Sequence, residues 1–225
     1  MKKIKVIGAG GIGSILLPIL CQFLDTNNED VSITIIDGKN YSPKNRTRQL
    51  FNKLGNKAEV SVEKLSQSTS RLIFRAQSEY VTDKSILYLL EDGDIIFSCV
   101  DNHKTRLLLS DFCSNELNDV VLFSGGNGFL DGSVQIFARS NGQNITLPIA
   151  NKFHPEIVTP KDKRPDELSC EELQVSSPQL IFTNNMVAAV MLNAFYNYFY
   201  AEKKHDYNEV YLDVNTNKVR SLIRS

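Results

Sequence analysis

The sequence has no long hydrophobic run, no excess of charge of either sign and no paired cysteines. None of its 225 residues falls in an apolar stretch approaching the roughly 20 needed to cross a bilayer. The first apolar run, Ile4–Ile7, is broken by Gly8 too early to form the core of a signal peptide, so a cytoplasmic protein is expected. Lys and Arg total 25 and Asp and Glu 26, for a net charge of −1, which gives no footprint for nucleic acid or a membrane surface. The four cysteines, Cys21, Cys99, Cys113 and Cys170, include no C-x-x-C pair, so no zinc is expected. Cys21, Cys99 and Cys113 stand among apolar neighbours and read as core filling. What is present is the composition of an ordinary globular chain, 42% apolar and 23% charged, long enough for one sizeable core. No internal repeat or low-complexity tract interrupts it.

Short apolar runs alternate with helical patterns over the first two thirds. Ile4–Ile7, Ser32–Ile36, Leu72–Phe74, Asp94–Cys99 and Val120–Phe123 read as strands. Gly13–Leu24, Lys57–Leu65 and Asn102–Asn115 read as helices, and Ser133–Ala138 alternates like an exposed edge strand. Strands alternating with helices predict a Rossmann-like, doubly wound α/β fold with a mostly parallel sheet and its ligand at the carboxyl ends of the strands. Residues 141–176 are polar and carry Pro148, Pro155, Pro160 and Pro165, the mark of a long loop. Ser177-Pro178 offers an N-cap and a first-turn proline for a long buried helix through Phe199. Glu209–Val214 and Lys218–Ile223 flank Asn215-Thr216-Asn217 as a terminal hairpin. The expected organisation is one domain over 1–225: a nucleotide-binding core (1–139), a polar crossover loop (141–176), then a helix and hairpin (177–225).

Gly8-Ala9-Gly10-Gly11-Ile12-Gly13 fits G-x-G-x-x-G between a strand and a helix, the context that motif needs. The glycines let backbone approach a phosphate, and the helix start presents unpaired N–H groups to it. Asp37 closes the second strand, placed for ribose hydroxyls. This much says only that a nucleotide binds.

The next segment narrows the choice. Asp37-Gly38-Lys39-Asn40-Tyr41-Ser42-Pro43-Lys44-Asn45-Arg46-Thr47-Arg48-Gln49-Leu50-Phe51 is followed by Gly55-Asn56-Lys57-Ala58. An ordinary dehydrogenase has no use for so many cationic and amide groups beside the ribose; an ATP site does, because the triphosphate is highly charged and pyrophosphate must leave. Asp101, at the carboxyl end of a strand, suits a hard, oxygen-liganded cation, although a helix N-cap competes as its role. The stretch resembles the D-x-D-x-V-x-x-S-N-L-x-R-Q-x-L-F…G-x-x-K pattern of the ThiF/MoeB/ubiquitin-activating adenylyltransferase family. Phe97–Asn102 with Arg106, and Ser124–Val134, resemble two further segments of that family, in the same order.

The resemblance covers 1–139 well and the rest loosely. It implies ATP-dependent adenylation of the C-terminal carboxylate of a ubiquitin-like or sulfur-carrier protein, with a homodimer expected. It places Gly8, Gly10, Gly11 and Gly13 on phosphate, Asp37 on ribose, Asn45, Arg48, Gln49 and Lys57 on the triphosphate, and Asp101 on Mg²⁺, with Arg48, Lys57 and Asp101 carrying catalysis. Arg46 reads as a solvated charge and Arg106 as a structural pair. Lys39 replaces the second aspartate of the pattern, Tyr41, Lys44 and Arg46 replace its valine, serine and leucine, and the N-terminal arm arginine of the family has no counterpart ahead of the first strand. Residues 165–173 and the following Pro-Gln-Leu-x-Phe-x-Asn resemble standalone plasmid-type ThiF proteins of the PRTRC system. Cys170 is a candidate for covalent capture of the activated protein, opposed by Glu171 and Glu172, which would weaken its thiolate. The alternatives are an NAD-dependent oxidoreductase and a non-catalytic nucleotide-binding subunit of an activating complex.

Overall fold

The structure is a computed structural model that describes residues 1–27, 29–168, 178–203 and 206–225. In chain order its elements are β1 (Lys2–Ile7), α1 (Gly13–Thr26), β2 (Val31–Ile36), β3 (Asn40–Tyr41), β4 (Gly55–Asn56), α2 (Lys57–Ser66), β5 (Ile73–Gln77), α3 (Ile86–Leu89), β6 (Asp94–Ser98), α4 (His103–Asn115), β7 (Val120–Asn127), β8 (Asp131–Ser140), β9 (Gln143–Asn144), α5 (Pro155–Val158), α6 (Ile181–Phe199), β10 (Glu209–Asp213) and β11 (Lys218–Leu222). Short 3₁₀ turns occupy Pro43–Thr47 and Pro165–Glu167.

The main sheet runs β11-β10-β8-β7-β6-β1-β2-β5, with β9 beside β8. Pairing is parallel from β5 to β7 and antiparallel from β7 to β11. This is the predicted mostly parallel α/β sheet extended by antiparallel strands. Its central strands are apolar because both faces are covered, and every residue of β2 is buried. One face packs on α1 and α6 through Leu16, Leu20, Phe97, Phe123 and Phe195. The other packs on α3 and α4 through Ile86, Leu89, Ile96, Leu109 and Phe137.

The chain winds outward through β1, β2 and β5, then returns to place β6 on the other side of β1. That reversal opens a crevice between the carboxyl ends of β1 and β6, the usual ligand position in such sheets.

Three expectations change. Ser133–Ala138 lies inside β8, an interior strand between β7 and β10, and Val134–Ala138 are buried. The terminal hairpin covers the edge that the alternation seemed to leave open. The strand expected at Leu72–Phe74 runs Ile73–Gln77. The long helix starts at Ile181 behind Leu180, with no side-chain cap, so Pro178 precedes it by three residues; Ser177 lies outside the described residues. The β3–β4 pair, which no periodicity announced, clips the ends of the basic segment together through Asn40↔Asn56 and Tyr41↔Gly55.

Candidate active site

At the switch point lies an open cleft of about 1080 Å³. The glycine loop, Asp37, Lys39, Asn45, Arg48, Gln49, Lys57 and Asp101 all line it. One sequence-predicted residue, Gly13, sits just behind this wall. A Cβ there would come 2.0 Å from the Gly8 carbonyl oxygen, so the loop can close so tightly only with glycine. Gly8 itself has φ +91°. No side chain caps α1, and Gly10, Gly11 and Ile12, which lead into it, line the cleft as a place for an anion.

Asp37 is already engaged within the site. Its Oδ2 accepts the Ala9 N–H and its Oδ1 the Lys39 N–H, each at 2.8 Å, so it joins the glycine loop to the basic segment. Burial pushes its carboxyl above the ordinary range, against the pull of Lys57 and Lys39. Lys57 is buried at the start of α2, its N–H bonded to the Lys39 carbonyl at 2.9 Å. Burial lowers its pKa, with Asp37 opposing. An ammonium desolvated in this way binds an incoming anion strongly, since little water has to be displaced.

Asn45 is buried, and its Oδ1 accepts the N–H and hydroxyl of Ser42 at 2.9 and 3.0 Å. Only its NH₂ end remains to serve a ligand, and that end suits phosphate. Gln49 is buried with Oε1 unpartnered, and its Nε2 lies close beside Gly10, as does Lys57 Nζ. Arg46 is exposed with its guanidinium 5.2 Å over the Phe51 ring, in keeping with a surface role.

The competition at Asp101 is resolved by its neighbour. Asn102 caps α4, its Oδ1 accepting the Thr105 N–H at 2.8 Å. Asp101 is thereby left to the cleft, with 60% of its side chain open and Lys39 Nζ 3.8 Å away. The protein walls around this open carboxylate act to raise its pKa, but Lys39 and Lys57 outweigh them and hold the carboxyl below the usual range. Arg106 is buried and fastened to the carbonyls of Val100 and Gly125, both at 2.9 Å, in keeping with a structural pairing.

Cys21, Cys99 and Cys113 are buried free thiols, each pushed up to about 12 by burial, and they fill core as expected. Cys170 lies outside the described residues.

Two participants escaped the sequence reading. Asn184, in the first turn of α6, is fully buried; its amide sits over Gly11 and donates to the Arg48 carbonyl at 3.2 Å. It lies in the Pro-Gln-Leu-x-Phe-x-Asn stretch, which was the available signal. Asp162 reaches from the polar segment to the start of α4, accepting the His103 and Lys104 N–H groups at 2.6 and 3.0 Å. Arg164–Asp83 and Lys104–Glu167, both at 2.7 Å, hold the same segment along one wall of the cleft.

A divalent cation fits this site in one way. Among the described residues no three His, Cys, Asp or Glu side chains gather to hold a metal. Asp101 supplies one open carboxylate, so the remaining ligands would have to come from phosphate and water. No described helix is long and apolar enough to cross a membrane.

Solved structures share this fold. E. coli MccB, in a crystal structure with ATP, superposes with a TM-score of 0.73 at 16% identity over 99% of this chain and 63% of that one. PaaA superposes with a TM-score of 0.69 at 15% identity over 99% and 64%. Among curated sequences, the adenylyltransferase and sulfurtransferase uba4 of Emericella nidulans is 26% identical over 113 residues, 48% of this chain. The chain therefore spans just under two thirds of those solved structures and 22% of uba4. The match to the ThiF family runs over residues 1–224, and the chain belongs to that family.

Proposed function

We propose that this protein binds ATP in the switch-point cleft and transfers AMP to the C-terminal carboxylate of a ubiquitin-like or sulfur-carrier protein. The observation that carries this reading is the convergence of Arg48, Lys57, Gln49 and Lys39 on the same cleft as the glycine loop and Asp101. Membership of the ThiF family and the likeness to uba4 support it.

The glycine loop and the start of α1 would cradle phosphate. Asp37, its oxygens still carrying free lone pairs, would accept ribose hydroxyls. An oxygen of the carrier's carboxylate attacks the α-phosphorus, the bond to the β-phosphate oxygen breaks, and pyrophosphate leaves with the negative charge. Arg48 and Lys57 would stabilise that charge as it develops, and no proton transfer is required of the protein. Asp101 would hold a Mg²⁺ ion, whose chemistry is to neutralise phosphate oxygens. We further propose that the chain acts as a homodimer and that the segment around Asp162–Leu168 guides the carrier's tail.

The test is ATP–pyrophosphate exchange with Mg²⁺ and candidate carriers encoded beside this protein. Carrier-dependent exchange that falls at least about 100-fold in Arg48→Ala and Asp101→Ala is expected, the scale of losing one transition-state charge contact. Tight NAD binding without ATP binding would overturn the reading.

A further inference from the structure

We infer that Lys39 supplies at Asp101 part of the positive charge that a divalent cation would bring, so that this protein's hold on ATP depends less on the metal than an isolated carboxylate would dictate. The inference rests on the ATP-binding reading above.

Lys39 is not a loose surface lysine. Its N–H is bonded to Asp37 Oδ1 at 2.8 Å and its carbonyl accepts the Lys57 N–H at 2.9 Å. The backbone is thus pinned on both sides, between β2 and α2, and the side chain runs along the cleft to Asp101. At 3.8 Å the pair is an ion pair without a direct hydrogen bond, and 31% of the lysine side chain is open. The ammonium can therefore serve Asp101 and a phosphate oxygen together, using its three rotatable donors.

Asp101 has no described cluster of further metal ligands around it. An incoming divalent ion must share this one carboxylate with a cation already present. Two like charges beside one anion repel. The same ammonium meets the triphosphate whether or not the metal has arrived. Lys39 thus lowers what the metal can add and raises what the protein offers by itself. Tyr41, another departure from the family pattern, does not have this geometry: its hydroxyl donates to the Ala9 carbonyl at 2.7 Å.

The experiment titrates ATP calorimetrically into the full-length protein, without any carrier, once in excess Mg²⁺ and once in EDTA. The ratio of the two affinities measures the coupling between metal and nucleotide. In Lys39→Ala that ratio is expected to rise roughly tenfold or more over wild type, and further in Lys39→Asp, as removal of a like charge near a shared ligand requires. Lys39→Arg keeps the charge and is expected to keep the wild-type ratio. So is Lys53→Ala, which removes an exposed cation paired with Glu63 outside the cleft. An unchanged or smaller ratio in Lys39→Ala, with ATP still bound, overturns this inference alone. Failure of the wild-type protein to bind ATP in either condition overturns the ATP reading and takes the inference with it.

Discussion

At the scale of single residues, electrostatics separates the site from the scaffold. Asp94 makes the point away from the cleft, at the amino end of β6. Its carboxylate is buried, with one oxygen accepting the Glu91 N–H at 2.9 Å and the other unpartnered. Burial raises its pKa to about 6, more than the Glu91 N–H and Lys5 can offset. Because the folded protein holds this proton more tightly than the unfolded chain, the group favours folding fully below its ordinary value near 4. That contribution is lost as pH rises through about 6. Asp94→Asn is therefore expected to stabilise the protein at pH 7 by up to about 3 kcal/mol, and by nearly nothing at pH 4, in urea melts at the two pH values. That Arg48, Lys57 and Asp101 line one cleft was legible in the sequence, because they stand in a short basic segment and at a strand end whose order resembles the family pattern. Asn184 and Asp162 were not, because each reaches its partner across more than fifty residues of chain. The Pro-Gln-Leu-x-Phe-x-Asn stretch marked Asn184, but no local pattern names the distant partner of either residue.

At the scale of elements, helix starts organise the cleft. α1 begins without a side-chain cap, whereas α4 is capped twice, by Asn102 from within and by Asp162 from the polar segment. The loop leading into the first helix lines the cleft, whereas the second helix start is already satisfied by side chains. Asp162→Ala should free the His103 and Lys104 amides. Their hydrogen exchange is expected to accelerate about five- to tenfold, the effect of losing a cap worth roughly 1 kcal/mol, while amides in the middle of α4 hold their rate. Equal exchange in the variant would show that the carboxylate does not hold the segment in solution. Element identity was mostly readable, since buried parallel strands are continuous apolar runs. Ser133–Ala138 misled because a strand with one alternating face looks the same at an edge as beside a hairpin contributed by the last 17 residues. The start of α6 misled because Ser177-Pro178 has ideal cap chemistry, yet the helix waits for Ile181.

At the scale of the whole molecule, the aromatic contacts tie early and late sequence into one body. Phe195 of α6 lies 5.5 Å from Phe97 and 6.1 Å from Phe123, ring to ring, against the middle of the sheet. Phe195→Ala should cost about 3 to 5 kcal/mol. Circular dichroism and tyrosine fluorescence should still report one shared transition; separate transitions would divide the chain into independent units. The seating of Asn184 over the glycine loop carries this further, into the time the chain spends being made. Nearly every nucleotide-lining group has left the ribosome by the end of β8, but the residue that rests on Gly11 and holds the Arg48 carbonyl is still more than forty positions away. A nascent chain at that stage owns the parts of a phosphate site without the clamp that sets them. Competence to bind nucleotide should therefore appear late in synthesis and abruptly, so that unfinished chains do not sequester ATP.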